Sequence, residues 1–103
     1  MKTEVDIGLS EHDLRLIRAE IAAIPEIESV VLFGSRAEGT HKKGSDVDFA
    51  LDGDSLTRKE MLQLSYRLNQ ETVLPYRFDL LILSDADTPV RDHILRVGVP
   101  IYP

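Results

Sequence analysis

Residues 29–51 read SVVLFGSRAEGTHKKGSDVDFAL, and the fold turns on how this stretch divides. Ser29-Val30-Val31-Leu32-Phe33 is a short apolar, partly β-branched run that stops at Gly34. It is apolar at odd and even positions alike, which predicts a strand buried on both faces in the middle of a sheet. Asp46-Val47-Asp48-Phe49-Ala50-Leu51 predicts a second strand, closed by the turn-like Asp52-Gly53-Asp54. Between them, residues 34–45 hold three glycines and three basic residues and read as a loop.

Upstream, Ser10 followed three residues later by Asp13 has the form of a capping box. Leu14, Ile17, Ile21 and Ile24 then recur at helical spacing, and Pro25 ends the segment. Downstream, Thr57 and Glu60 form a second capping box, and Met61, Leu64 and Leu68 give its helix an apolar stripe. Phe78 to Leu83 predicts a third strand. Thr88-Pro89 opens a last helix, to about Val97, and the tail from Gly98 to Tyr102 adds a short edge strand. This order predicts an α/β architecture in which helices pack on one small sheet.

Bulk properties narrow the chemistry. A chain of 103 residues is expected to form one domain, spanning 1–103. Without cysteine there are neither disulfides nor thiolate ligands, so any metal is held by oxygen, which favours magnesium or manganese. The net charge of -6, from eighteen acids against twelve bases, argues against gripping an extended nucleic acid. The start, Met1 to Asp6, carries acids where a secretory leader is apolar. The aliphatic runs are too short to span a bilayer, so a cytoplasmic, membrane-free protein is expected.

Asp46 and Asp48 are two apart on a predicted strand, so both side chains are expected on one face. At about 4–5 Å and an effective dielectric near 20, two such charges repel by about 3–4 kcal/mol. A fold keeps the pair where water or a cation separates it. An isolated Asp-x-Asp is more often a solvated strand end. Here, however, it follows Gly34-Ser35, where a glycine at the end of an apolar strand lets backbone amides approach an anion. Ser35 adds a hydroxyl and Arg36 a fixed charge, and Thr40, Lys42 and Lys43 lie within the same loop. Gly39 to Gly44 has the glycine spacing of a Walker loop, but Ser45 and Asp46 stand where lysine and a hydroxyl residue belong, so that motif fails. Asp79 interrupts an otherwise apolar strand, where an unpaired acid is costly. Its bland alternative is a salt bridge to an arginine; its functional reading is a third carboxylate. His93 reads as a packing residue, and Asp52 and Asp54 as solvated turn residues.

The segment Gly34-Ser35-Arg36-Ala37-Glu38-Gly39, with Ser45-Asp46-Val47-Asp48 after it, resembles the signature of the polymerase-beta-type nucleotidyltransferases. It is most similar to their minimal bacterial branch, the MNT domains, and the ending from Pro89 through His93-Ile94-Leu95-Arg96 to Tyr102 is similar too. The resemblance implies the nucleotidyltransferase palm, a small mixed sheet with helices packed on it. It implies Asp46 and Asp48 as ligands of two magnesium ions, and Asp79 as ligand of the ion that activates an acceptor hydroxyl. Gly34 and Ser35, with Arg36 and Ser45, would bind the triphosphate of ATP or another nucleoside triphosphate. The implied reaction moves a nucleoside monophosphate, AMP foremost, onto that hydroxyl. Glu38 departs from the pattern, since many members carry arginine or lysine there, and an acid weakens the field around a triphosphate.

Relatives of this size are paired with a small helical HEPN protein, as the antitoxin of a toxin–antitoxin pair or as the catalytic half of a two-subunit transferase. The acidic net charge fits such a protein partner. Two other readings stay open: a module that neutralises a HEPN partner by occlusion alone, and a catalytic subunit acting on a small molecule. The surface expected to meet a partner includes Ile94, Val97, Ile101 and Tyr102, unless these residues complete the chain's own core.

Overall fold

The computed structural model describes residues 7–103; the stretch read for a leader, Met1 to Asp6, lies outside the described residues. Ser10 opens helix α1, Glu11–Ala22, by the capping box its spacing predicts. The Ser10 hydroxyl accepts the Asp13 amide at 3.0 Å and the Asp13 carboxylate accepts the Ser10 amide at 3.2 Å. Strand β1 spans Ser29–Phe33. The next five residues are not loop but a short helix α2, Gly34–Glu38, capped by left-handed Gly39. Strand β2 runs Val47–Asp52, which leaves Asp46 ahead of the strand and brings Asp52 into it. Helix α3, Arg58–Gln70, starts where the Glu60 carboxylate accepts the Thr57 amide and hydroxyl, both at 2.7 Å. Strand β3, Phe78–Ile82, passes into a short 3-10 turn, Leu83–Asp85. Helix α4, Thr88–Val97, and strand β4, Val99–Tyr102, follow as expected.

The four strands form one mixed sheet in the order β3-β2-β1-β4. β1 is antiparallel to β2 and β4, whereas β2 and β3 are parallel. As its two-sided apolar pattern requires, β1 is central. On one face, Val30, Leu32, Val47, Phe49 and Leu51 pack with Ile17 and Ile21 of α1 and Leu64 and Leu68 of α3. On the other, Val31, Phe33, Ala50 and Leu81 pack with Ile94 of α4 and Leu83. Complete burial of one such side chain contributes about 1.5–3 kcal/mol, so the sheet is held mainly by this two-sided cover. The ending is part of that cover: Ile94 and Ile101 are buried, Val97 and Tyr102 half-buried. Ile94, Ile101 and Tyr102 therefore pack into the core, while Val97 keeps part of its surface exposed. Among the described residues, no helix is long and apolar enough to cross a membrane.

Candidate active site

The site forms where the starts of β2 and β3 meet the turn from β1 into α2. Parallel pairing sets Asp48 directly opposite Asp79, and antiparallel pairing sets Asp48 opposite Phe33, the residue before Gly34. Gly34 has a φ of +77°, a left-handed conformation that side chains disfavour. A β-carbon built there would overlap the Asp48 carboxylate. The glycine is therefore needed twice, for its backbone angle and for the space beside Asp48. Ser35 follows in the first turn of α2, so the hydroxyl and the carboxylate pair share one neighbourhood.

Asp48 is half-buried, while Asp46 and Asp79 are exposed. Burial pushes the Asp48 carboxyl above its ordinary value, and the like charges of Asp79 and Asp46 push it further, against the opposing Arg36 guanidinium. A protein-only assembly thus leaves Asp48 short of positive charge. Among the described residues, no three aspartate, glutamate or histidine side chains converge closely enough to hold an ion. What stands in place is the facing pair Asp48 and Asp79, with Asp46 beside them. Oxygen donors, mutual repulsion and the absence of a β-carbon at Gly34 all fit a hard divalent cation.

Arg36 is not the open cation the sequence suggests. It is 3% exposed, and its Nε and Nη2 donate to the Ser45 carbonyl at 3.3 and 2.9 Å. Nη1 donates to the carbonyls of Ile7 and Gly8 at 3.0 and 3.2 Å. Its guanidinium also lies 5.0 Å from the Tyr76 ring centroid. The physical reason is donor geometry: a planar guanidinium satisfies several carbonyls at once, and buried backbone oxygens require partners. Arg36 thereby fixes Ser45, the residue before Asp46, against α2. The Ser45 hydroxyl in turn accepts the Lys42 amide at 2.8 Å. Thr40 is likewise committed, its amide donating to the Ser35 carbonyl at 2.9 Å. Lys42 and Lys43 instead line a cavity of about 550 Å³ with Arg36, His41 and Tyr76.

The unusual acid Glu38 faces α4, with Oε2 at 3.9 Å from His93 Nε2. Arg96 Nη2 lies 3.2 Å from His93 Nδ1 and donates to it, which leaves the Nε2 hydrogen toward Glu38. Glu38 therefore lies near α4 without a hydrogen bond from it, and His93 is exposed on the helix surface, not packed in the core as its position suggests.

Two supporting residues escaped the sequence. Asn69 of α3 accepts the Phe78 amide at 2.9 Å and donates to the Phe78 carbonyl at 3.1 Å, holding the start of β3 one residue before Asp79. Tyr76 donates to Asp13 at 2.7 Å while stacking beside Arg36. Neither carries a motif; the only signal is a polar or aromatic residue at a half-buried position.

Known proteins share this fold. The family model described as Polymerase beta, Nucleotidyltransferase matches residues 16–103. The protein adenylyltransferase MntA of Shewanella oneidensis is 30% identical over 80 residues, covering 77% of this chain. The chain spans 56% of that relative's length. A crystal structure of a toxin-antitoxin with AMP-PNP superposes with a TM-score of 0.72 at 25% identity, covering 87% of this chain and 73% of that one. A mutant of the toxin-antitoxin MntA-HpeT, with glutamate replacing two aspartates two positions apart, gives 0.66 at 25% identity, covering 91% and 73%. With its sheet, its glycine turn and the family match over most of its length, the chain belongs to the polymerase beta, nucleotidyltransferase family.

Proposed function

We propose that residues 1–103 act as one nucleotidyltransferase domain that moves AMP from ATP onto a hydroxyl of a HEPN-type protein partner, as the antitoxin of a toxin–antitoxin pair. The observation that carries this reading is the meeting of Gly34 with Asp48, and of Asp48 with Asp79, at the start of α2. A turn suited to phosphate and a carboxylate pair suited to a cation occupy one place. The curated relative's name, protein adenylyltransferase, and the AMP-PNP in the toxin-antitoxin neighbour support AMP as the group transferred.

In this mechanism Gly34 and Ser35 hold the triphosphate through amides and hydroxyl. Ser45 and Arg36 act differently: Arg36 clamps the Ser45 carbonyl and so sets Asp46 and Asp48 at the correct distance from the turn. The facing pair Asp48 and Asp79, with Asp46 drawn in from its place ahead of β2, would hold magnesium, which when bound supplies Lewis acidity and offsets the charge of the phosphates. The acceptor oxygen bonds to the α-phosphorus as the bond from that phosphorus to the β-phosphate's bridging oxygen breaks. Pyrophosphate leaves, and the hydroxyl proton passes to the carboxylate of Asp79, the exposed acid of the pair.

Co-expression with the product of the adjacent gene, followed by intact-mass spectrometry with ATP and magnesium, tests the reading. The expected outcome is a stable complex whose partner gains one or more AMP units. Asp48→Asn is expected to abolish the gain, lowering transfer at least 100-fold, of the order seen when a key electrostatic donor is removed. A tight complex with no mass change sinks the enzymatic reading and leaves neutralisation by occlusion.

A further inference from the structure

The two edges of the sheet are built differently. At the β4 edge, Pro100 lacks an amide hydrogen, the pairing with β1 shifts register between Val30 and Val31, and Arg18 Nε donates to the Ile101 carbonyl at 2.7 Å. Proline, an irregular register and a covering side chain are ways by which an edge avoids pairing with another chain. Strand β3, reading Phe78-Asp79-Leu80-Leu81-Ile82, has no proline, no lysine and a regular register with β2.

The Val47 amide donates to the Arg77 carbonyl at 2.8 Å, so alternation turns the backbones of Asp79 and Leu81 toward β2, and those of Phe78, Leu80 and Ile82 outward. Asn69 closes the outward groups of Phe78. Beyond Leu80 and Ile82 the described residues provide no further strand. Two clefts flank this opening. One, of about 650 Å³, runs from Leu62 and Tyr66 of α3 to Asp79. The other, of about 420 Å³, is walled by Met61, Leu80, Ile82 and Val90. Leu62, Tyr66 and Val90 are 50, 59 and 47% exposed. Single exposed apolar residues are ordinary, but three bordering one open strand edge mark an interaction surface.

We propose that the protein acceptor adds an extended segment to the β3 edge, so that its hydroxyl side chain reaches the carboxylates beside Asp79. The inference rests on the transfer reading above and names how the acceptor is presented. Main-chain hydrogen bonds to Leu80 give register, since Ile82 is buried and caps the following 3-10 turn, and the clefts at Leu62–Tyr66 and at Val90 take alternate side chains. Asp79 belongs both to the first cleft and to the carboxylate pair, so an occupant is delivered to the reacting end. The occupant is a different protein and not a second copy. Two copies carry -6 each, and antiparallel self-pairing would bring one Asp79 toward the other.

The test is photo-crosslinking without ATP, with benzoylphenylalanine replacing Leu62, Tyr66 or Val90 in turn in the full chain, mixed with the co-expressed helical protein. Crosslinks to that protein are expected from these three sites and not from Val73 or Leu95, which are exposed elsewhere. Crosslinks only from the latter two, crosslinks between copies of this chain, or no complex at all overturn the proposal. In parallel, Leu62→Asp with Tyr66→Asp is expected to raise the KM for the protein acceptor at least tenfold, with the ATP-induced thermal shift unchanged. Leu80→Pro removes an outward amide and is expected to act likewise without disturbing β2. Wild-type KM in these variants also refutes edge docking. If the wild-type chain crosslinks at the three sites but transfers no AMP, docking stands and the transfer reading fails.

Discussion

Gly34 and Asp48 carry the site at the scale of single residues. Replacing Gly34 with alanine puts a β-carbon where the backbone has a φ of +77° and where the Asp48 carboxylate already lies. The backbone strain alone is expected to cost about 1–3 kcal/mol in urea unfolding, with loss of ATP-dependent stabilisation. A Gly34→Ala chain as stable as the parent would contradict the described packing against Asp48. Asp48→Asn has the opposite sign in the absence of metal. Its carboxyl is held above its ordinary value by burial and by Asp79 and Asp46, so ionisation works against the fold as pH rises. The amide variant is expected to melt a few degrees higher at pH 7 in EDTA, with no gain near pH 3, where the carboxyl is protonated. The aspartate pair and Gly34-Ser35 were legible from their types and spacing, whereas the glycine's contact with Asp48 was not. That contact needs the β1–β2 register, which no local pattern encodes.

Caps and clamps dominate at the scale of elements. Two carboxylates set helix starts: Asp13 at α1, also bonded by Tyr76, and Glu60 at α3. Burial opposes the charge on Asp13, but hydrogen bonds from Tyr76 and Ser10 prevail and hold its carboxyl below the ordinary aspartate range. The Thr57 hydroxyl and amide hold the Glu60 carboxyl below the ordinary glutamate range. Both pKa values are depressed, so their stabilisation is present above pH about 4–4.5 and is lost as pH falls through the folded values. Acid unfolding monitored by circular dichroism is expected to show this loss, and Glu60→Gln to flatten its slope; an unchanged slope would remove Glu60 from the explanation. Asn69→Ala takes both side-chain bonds from Phe78 and is expected to cost about 1–3 kcal/mol, with faster amide exchange at Phe78. Helix starts were readable because a capping box is local. The clamp was not, because its donor and acceptor sit on different elements.

For the whole molecule, ligand binding is a stability measurement. ATP with magnesium at about a hundredfold excess over Kd is expected to stabilise the fold by about 2.7 kcal/mol. In a chain of 103 residues that corresponds to a rise in melting temperature of about 10 °C or more, abolished by EDTA. No shift with any of the four nucleoside triphosphates would count against a functional site. The net charge of -6 acts on the same scale, favouring a protein acceptor over nucleic acid and opposing self-association through β3.

The sequence by itself determined the existence of most elements and the central placement of β1, and it singled out Asp46, Asp48 and Asp79 as candidates. Hydrophobic period, capping residues and the glycine-serine and paired-aspartate spacing are all local codes, read over a few residues. Tertiary structure alone decided that residues 34–38 wind into a helix, that Asp46 stands outside its strand, and that Arg36 is buried. Arg36 answers to the carbonyls of Ile7, Gly8 and Ser45, and Asp48 to Asp79, thirty-one residues away. It also decided that Ile94 and Ile101 close the core while, among the described residues, no further strand pairs with β3. Composition cannot make that choice, because an apolar side chain is equally content against its own core or a partner's. Only the packing shows which surface is already covered.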